Sequence, residues 1–235
     1  MKKIVIIAAM SKEIALIKSM LGAVRVEKTA AAEFFYGAVG EKEILLIKSG
    51  IGKVCAAAAA VEAINRFHPD AVINTGAAGG ISSGLAVMDV VAASTTAYYD
   101  VFCGGEWGQV QDFPKYFDAD ASLYQKALAL GITGGVIASG DKFVTSGAEV
   151  AEIKKVCPDA VAVDMESAAL AQVCYMYRVP FLSLRVISDT PGVANHAAQY
   201  ENFWETAGEE SFKVLQKLLH PDAGSRKVSC GLFRV

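Results

Sequence analysis

The sequence predicts an α/β protein with a mixed central sheet, and three features indicate this fold class. Apolar runs rich in β-branched residues, such as Lys3–Ala9 and Ala71–Thr75, alternate with helical segments such as the alanine-rich Val54–Phe67. Two further runs, Phe34–Val39 and Glu43–Ser49, are joined by a short glycine turn, which favours an antiparallel hairpin. The 235 residues, of which 53% are hydrophobic, suffice for one large domain with a buried core.

The remaining elements continue this alternation along the chain. Ser11 is expected to cap a first helix that extends to Leu21 and carries Glu13 in its first turn. The other predicted strands are Asp89–Ser94, Gly135–Ser139, Ala160–Val163 and Phe181–Ile187, and the other predicted helices are Ala121–Leu130, Ala148–Val156, a segment opening at Asp164, and Tyr200–Leu219. The last helix has predicted core positions at Phe203, Ala207, Phe212 and Leu215. Because residues 220–235 lack periodicity, we expect one domain over residues 1–219 and a peripheral or disordered tail over residues 220–235.

One long segment, Val101–Phe117, has no regular pattern and contains five aromatic residues. Long loops without regular structure are often functional, and exposed aromatic rings favour an interface or a ligand lid. The alternative is a small accessory core in which the rings pack on their own subunit. The sequence leaves both interpretations open.

Composition argues against several classes of partner. The 22 basic and 25 acidic residues give a formal charge of −3, with no basic stripe suited to nucleic acid. The five cysteines are widely spaced and form no C-x-x-C pair, so a zinc site is not indicated. No segment reaches the roughly 18 to 20 apolar residues of a membrane span, and the first apolar run is too short for a typical signal peptide. We therefore expect a cytoplasmic protein with no metal, no membrane and no nucleic-acid partner.

Two glycine-rich passages follow predicted strands. Ser49-Gly50-Ile51-Gly52-Lys53 leads into a helix, whose first N–H groups can meet an anion. Its spacing differs from that of a Walker loop, which has four residues between its glycines and then Gly-Lys-Ser/Thr. Gly76-Ala77-Ala78-Gly79-Gly80 would allow a ligand to approach the backbone closely, and a flexible glycine turn is an equally weighted alternative.

Two carboxylates, Glu166 and Asp189, each come just after an apolar strand. Ligand sites collect at this edge of α/β sheets, so both side chains are expected to face one crevice. Partial desolvation there raises the affinity of a carboxylate for a proton and suits it to acid catalysis. Considered singly, each residue has a simpler explanation that we favour: Glu166 in the first turn of a helix, and Asp189 at the start of an Asp-Thr-Pro-Gly turn.

Four sequence patterns in a fixed order favour the functional interpretation of these carboxylates over the simpler one. They are AAMSKE at 8–13, KSGIGK at 48–53, NTGAAGG at 74–80, and VDMESA at 163–168 with RVISD at 185–189. Together they resemble the 5′-methylthioadenosine/S-adenosylhomocysteine nucleosidases of the purine nucleoside phosphorylase superfamily, over about residues 1–218. The resemblance implies a homodimeric three-layer αβα sandwich that needs no cofactor. It implies hydrolysis of the N-glycosidic bond of 5′-methylthioadenosine and S-adenosylhomocysteine to adenine and the 5′-thio-ribose, with 5′-deoxyadenosine as a further candidate substrate.

The resemblance also implies a role for each site residue. Asp189 would protonate adenine N7, Glu13 would position and activate the water, and Glu166 would hold the ribose hydroxyls. The supporting residues would be Met165 against the sugar, Arg185 and Ser188 near the acid and the water, Phe143 stacked on adenine, the backbone of Val144 at the Watson–Crick edge, and Met10, Ile51, Ala77, Ala78, Gly79 and Tyr200 along the rest of the pocket. The Val101–Phe117 loop of a second subunit would meet the 5′-substituent.

The sequence departs from the family pattern at Ala77, where serine is common, and at Asp164, where glutamate is more usual. The missing serine hydroxyl bears on how the water is held. Glu13 bears on the nucleophile, because a carboxylate in a low-dielectric pocket repels phosphate and so favours water.

Three alternatives to this function stay open at this point. The chain could be a phosphorylase of the same fold, a hydrolase of another 6-aminopurine or futalosine-type nucleoside, or a purine-binding module without activity. The presence of Glu13, Glu166 and Asp189 together argues against the binding module, since a pure binder has no use for a buried general acid.

Overall fold

The computed structural model describes residues 1–204 and 207–219, in which ten strands and seven helices alternate. The strands are β1 (Lys3–Ala8), β2 (Arg25–Lys28), β3 (Glu33–Val39), β4 (Lys42–Lys48), β5 (Ala71–Gly80), β6 (Val90–Tyr98), β7 (Tyr116–Asp118), β8 (Thr133–Ser139), β9 (Ala160–Asp164) and β10 (Phe181–Asp189). The helices are α1 (Ser11–Met20), α2 (Lys53–Phe67), α3 (Ala121–Leu128), α4 (Gly147–Val156), α5 (Ser167–Tyr177), α6 (His196–Phe203) and α7 (Ala207–Leu219). No helix in these ranges is long and apolar enough to cross a membrane.

The strands form one mixed sheet in the order β10-β6-β8-β9-β5-β1-β4-β3-β2, with β7 paired to β6. β1 lies parallel between β4 and β5, and β3 pairs with β4 as the predicted antiparallel hairpin. The ten-residue β5 pairs with β1 and β10 along most of its length and with β9 at Gly79 and Gly80. Because β10 also pairs with β6, the strands β5, β10, β6, β8 and β9 close into a ring.

Helices cover both faces of the sheet, which confirms the predicted three-layer αβα sandwich. Alternate residues of β1 enter two different cores: Val5 and Ile7 pack with α2 and α5, whereas Ile4 and Ile6 pack with α1 and α7. A strand buried on both faces has a continuous apolar sequence, as β1 does. The faces of α2 and α5 that contact each other are rich in alanine, so these two helices approach closely.

Several predicted element bounds were wrong for local reasons. The helix expected to open at Asp164 begins at Ser167, because β9 continues through Asp164. Ser11 is the first helical residue and not the cap, since Met10 occupies the cap position and the Glu13 carboxylate accepts its N–H. The strand expected to end at Thr75 runs through the glycines to Gly80, so that passage is strand and not a flexible turn. The edge strand β2 was not predicted, because its side chains are almost all exposed and give no apolar alternation.

The expected final helix over Tyr200–Leu219 consists of two helices among the described residues, α6 starting earlier at His196 and α7 starting at Ala207. Phe203 and Leu215 are buried, as the helical spacing predicted. The predicted core side chains of Ala207 and Phe212, and the predicted tail over residues 220–235, lie outside what the structure describes.

The aromatic segment Val101–Phe117 contains the predicted accessory core, and its remaining exposed rings leave the interface or lid as a prediction. Phe113 and Phe117 pack edge-on against Tyr175 of α5 and form the accessory core. Phe102 and Trp107 stack on each other with ring centroids 4.8 Å apart and are each about half exposed. The irregular stretch is also shorter than expected, since β7 begins at Tyr116.

Candidate active site

One cavity of about 390 Å³ opens where the ends of β1, β9 and β10 meet the second half of β5. Every predicted site residue except Arg185 lines it: Met10, Glu13, Ile51, Ala77, Ala78, Gly79, Phe143, Val144, Met165, Glu166, Ser188, Asp189 and Tyr200. Four lining residues were absent from the prediction: Ala9, Lys142, Val163 and Asp164. Folding therefore brings together side chains from residue 9 to residue 200, in a cavity of the size that small-molecule sites have.

Glu13 is held rigidly at one wall by backbone N–H groups. Its Oε2 accepts hydrogen bonds from the N–H groups of Ala9 and Met10, each at 2.8 Å, and its Oε1 accepts one from Ala77 at 3.1 Å. Burial raises the pKa of the Glu13 carboxyl, and the positive charge of Arg185 together with the three N–H donors opposes that rise. The side chain is thus a buried acceptor whose orientation is fixed by three N–H donors, two from the turn between β1 and α1 and one from β5.

Gly76 leaves room for this arrangement. Its φ of +155° is one that residues with a side chain rarely adopt. A β-carbon at this position would lie 2.6 Å from both Arg185 Nη1 and Glu13 Oε1, so a side chain here would displace the site.

Glu166 lies at the cap position of α5 and lines the pocket. Its Oε1 accepts the N–H of Gly52 at 2.9 Å, at the start of α2. The glycine-rich passage at 49–53 therefore does present an N–H to an anion, and the anion is a carboxylate of the same chain. Burial raises the pKa of Glu166 to about 7, against the pull of Arg185 and with a further rise caused by Asp164.

Arg185 lies beneath the pocket and neutralises part of its negative charge. Its Nη2 is 2.6 Å from Asp164 Oδ2, 3.3 Å from Glu166 Oε2 and 2.6 Å from Asn74 Oδ1. Burial lowers and the surrounding carboxylates raise the pKa of this guanidinium, with a net rise. Arg185 was predicted to support the acid and the water, whereas Asn74 was not predicted as a site residue. A polar residue inside the apolar run of β5 is itself a signal, because a buried amide needs hydrogen-bond partners.

Asp189 ends β10 at the third wall. Its Oδ1 is 2.5 Å from Ser188 Oγ, which also contacts the carbonyl of Ala78. Burial raises the pKa of the Asp189 carboxyl, and the Ser188 hydroxyl and His196 act in the opposite direction. The rise is the direction expected for a carboxylate placed at the end of an apolar strand.

Aromatic side chains close the side of the pocket near Asp189. The ring of Phe143 lies 5.1 Å from that of Tyr200 and 5.6 Å from that of His196.

The loop before Phe143 is anchored by Lys53, whose Nζ is 2.8 Å from Asp100 Oδ1 and 3.4 Å from Asp141 Oδ2. Sequence reasoning did not assign a function to this cluster. It ties the start of α2 to the strand-end loops that follow β6 and β8.

The fold and the pocket together define an α/β protein with a buried acidic site for a small ligand. No group of His, Cys, Asp and Glu side chains with the arrangement of a metal site occurs among the described residues. The pocket carboxylates Glu13, Glu166 and Asp189 are side chains that can carry acid and base chemistry.

Comparison with known proteins narrows this class. The sequence matches the model of the phosphorylase superfamily over residues 3–220. It is 36% identical over 223 residues to the 5′-methylthioadenosine/S-adenosylhomocysteine nucleosidase of Staphylococcus saprophyticus, covering 91% of this chain and 97% of that protein.

Solved structures give the same result. The 5′-methylthioadenosine/S-adenosylhomocysteine nucleosidase of Neisseria meningitidis, in complex with methylthio-immucillin-A, has a TM-score of 0.90 and 37% identity, with 94% of this chain and 100% of that chain covered. The enzyme of the same name from Colwellia psychrerythraea, in complex with adenine, has a TM-score of 0.86 and 35% identity, with 93% and 94% covered. This chain belongs to the phosphorylase superfamily and, within it, to the family of 5′-methylthioadenosine/S-adenosylhomocysteine nucleosidases, as its sequence patterns predicted.

Proposed function

We propose that this protein hydrolyses the N-glycosidic bond of 5′-methylthioadenosine and S-adenosylhomocysteine, with release of adenine and the 5′-thio-ribose. The observation that carries the proposal is the placement of three buried carboxylates, Glu13, Glu166 and Asp189, at different walls of one largely apolar pocket. Departure of adenine leaves positive charge on the ribose and negative charge on the base. A site for this reaction must supply a proton to the base and negative charge near the sugar.

Asp189 is the general acid in this mechanism. Its raised pKa keeps a proton available at higher pH than an exposed aspartate would, and transfer of that proton to adenine N7 makes the base a neutral leaving group. Ser188 fixes one carboxyl oxygen through its hydroxyl. The wall of Phe143 and Tyr200 next to Asp189 suits a planar base.

Glu166 binds the ribose hydroxyls, with Met165 against the sugar. Arg185 and the N–H of Gly52 hold the Glu166 side chain from behind, so that it faces the pocket at a fixed angle. Its negative charge stabilises the sugar as positive charge develops there.

Glu13 positions and activates the water. A carboxylate has about four acceptor positions, and three are occupied by the N–H groups of Ala9, Met10 and Ala77, which leaves one for the water. The N–H at position 77 is a backbone group, so the replacement of the usual serine by Ala77 leaves this contact intact. Only the additional hydroxyl is absent.

Charge distribution favours water over phosphate as the nucleophile. The one cationic side chain among the described pocket-lining residues is Lys142, and it is paired with Glu149. Arg185 below the pocket is paired with Asp164 and Glu166. An anionic nucleophile would therefore approach Glu13 without an unpaired cation to bind it.

Product analysis after incubation with 5′-methylthioadenosine, with and without phosphate, tests this function. We expect adenine and free 5-methylthioribose at a rate that does not depend on phosphate. Formation of a sugar 1-phosphate would establish phosphorolysis instead, and tight adenine binding without turnover would establish a binding module. A panel with S-adenosylhomocysteine, 5′-deoxyadenosine and futalosine-type nucleosides would separate the remaining hydrolase alternative.

The roles of the acid and the base are tested by Asp189→Asn and Glu13→Gln. We expect each change to lower kcat by about 10²- to 10⁴-fold, the usual contribution of general acid–base catalysis. Asp159→Asn, which alters an exposed aspartate, is the matched control. Turnover near that of the control in either variant would contradict the assigned role.

We also propose that the protein acts as a cytoplasmic homodimer in which residues 1–219 form the functional domain. Ile51, Val54, Phe102 and Trp107 are each more than half exposed, which is unusual for large apolar side chains and supports a partner surface, and Ile51 also lines the pocket. Light scattering tests the dimer, and a fully active monomer would contradict it. Cell fractionation tests the location, and a chain ending at Leu219 that lost turnover would contradict the domain assignment.

A further inference from the structure

His196 lies beside the proposed general acid. It is the first residue of α6, and its Nε2 is 3.4 Å from Oδ2 of Asp189. Both atoms are buried, and neither forms a hydrogen bond with any described residue. Unpartnered buried polar atoms are rare and costly in folded proteins, so two of them facing each other indicate an interaction that a small side-chain rotation would complete.

The two oxygens of Asp189 differ in their surroundings. Oδ1 is engaged with the Ser188 hydroxyl at 2.5 Å, whereas Oδ2 lies 3.4 Å from Nε2 of His196 and has no hydrogen-bond partner among the described residues. A proton on Oδ2 would be donated to Nε2 of a neutral imidazole, and a proton on Nε2 would be donated to an ionised carboxylate. The two arrangements contain the same number of protons and the same net charge.

We propose that His196 is a positioning residue for Asp189, with which it shares one proton between Nε2 and Oδ2, and that it restores the proton of Asp189 after each transfer to the base. When Asp189 protonates adenine N7, its O–H bond breaks as the N–H bond forms, and a carboxylate remains. The neutral imidazole of His196 then takes up a proton from solvent, and the resulting Nε2–H bond breaks as the O–H bond of Asp189 forms again. This returns the pair to its starting state, with one shared proton.

Exposure and packing support this route. The side chain of His196 retains 11% exposure against 2% for Asp189, so the imidazole is the more accessible of the two groups. The ring of Phe143 lies 5.6 Å from the imidazole at an interplanar angle of 36° and restricts its orientation. A proton can thus reach Asp189 through His196 while a nucleoside fills the pocket.

No other described group competes for this position. The remaining titratable and charged side chains that line the pocket are Glu13 from α1, Lys142 from the loop after β8, Asp164 from β9, Glu166 from the start of α5, and Tyr200 from α6. The three carboxylates among them surround Arg185, and Lys142 pairs with Glu149. His196 is the one charged or titratable group within ion-pair distance of Asp189 in the described part of the chain.

The inference rests on the proposed function, which makes Asp189 the acid. The first test is the pH profile of kcat for His196→Gln, because glutamine can hydrogen-bond to Oδ2 but cannot store a proton. We expect the alkaline limb to move to lower pH by at least about half a unit, since a pair that shares a proton loses it at higher pH than either group alone. The neighbouring exposed residue gives the control Asn195→Ala, whose profile should match the wild type. A His196→Gln profile that also matches the wild type would overturn the inference.

The second test is a double-mutant cycle, which a merely structural role of His196 would not pass. If His196 acts through Asp189, His196→Gln should cause no further loss of kcat in the Asp189→Asn background. The same loss in both backgrounds would overturn the inference, and His196→Asn replaces His196→Gln in both tests if the glutamine variant does not fold. Undiminished turnover of Asp189→Asn by itself would instead refute the proposed acid, so the two failures can be told apart.

Discussion

Gly76→Ala probes the geometry of the site without changing any charged group. Gly76 has φ +155°, and its α-carbon faces the contact region between Glu13 and Arg185. An added methyl group would lie 2.6 Å from Glu13 Oε1, whereas ordinary van der Waals contact begins at about 3.4 Å. The carboxylate or the backbone must therefore move by about 0.8 Å, the difference between these distances.

This displacement is large enough to affect catalysis. A misplacement of about 1 Å can lower a rate about 10²-fold, so we expect kcat to fall by roughly that factor. Overpacking of a tight interior also costs about 1–3 kcal/mol, which corresponds to a fall in Tm of roughly 2–12 °C for a chain of this size. The three hydrogen bonds leave the Glu13 carboxylate little freedom to retreat, and the equally close Arg185 Nη1 and the φ of +155° add to the cost.

The assay is steady-state release of adenine from 5′-methylthioadenosine, at a temperature well below the Tm of each variant. Gly22→Ala is the matched control, because a β-carbon at Gly22 would meet no atom within 4 Å. It makes the same chemical change without a clash. If the kcat of Gly76→Ala stays within twofold of the control, the exact position of the Glu13 carboxylate does not limit the rate.

Two further predictions concern the buried charges beneath the pocket. The pKa of Glu166 is raised to about 7 in the folded protein against an ordinary 4.5, so the contribution of Glu166 to wild-type stability falls as pH rises from 4.5 to about 7. Glu166→Gln lacks this titrating group, so the Tm of the variant should rise relative to that of the wild type as pH increases across this range. If the two Tm values change in parallel with pH, the raised pKa of Glu166 is wrong. Arg185→Met leaves Asp164 and Glu166 without their buried cation, which should lower the free energy of unfolding in urea by about 3–5 kcal/mol. A change below about 1 kcal/mol would mean that these carboxylates are compensated by other groups.

The elements that the sequence predicted well are those with strong periodic signals. The short run of β-branched residues in β1 favours a buried strand, and the long alanine-rich run of α2 favours a helix. The antiparallel pair β3 and β4 was predicted because a short turn joins the two strands. The bounds near the pocket were less well predicted. There the chain follows tertiary hydrogen bonds, as where β5 continues through Gly79 to pair with β9.

The residues of the site likewise divide into those that a local sequence pattern predicted and those that only tertiary contacts revealed. Glu13 and Asp189 could be selected from motifs at strand ends, because each belongs to a pattern a few residues long. His196 carried no such signal, since a histidine at the start of a helix becomes notable only when its Nε2 is seen beside Oδ2 of Asp189. Asn74 likewise becomes meaningful through its bond to Arg185, which is 111 residues away.

The sequence by itself determined the layered α/β architecture, the family and the identity of three of the four carboxylates that line the pocket, since these depend on local periodicity and short contiguous patterns. Only the tertiary structure decided which backbone N–H groups hold Glu13, which carboxylates surround Arg185, and which oxygen of Asp189 faces His196. The physical reason is that burial and pKa depend on distances between residues far apart in the chain. A linear pattern specifies which groups are present, and only the folded chain sets how closely they approach.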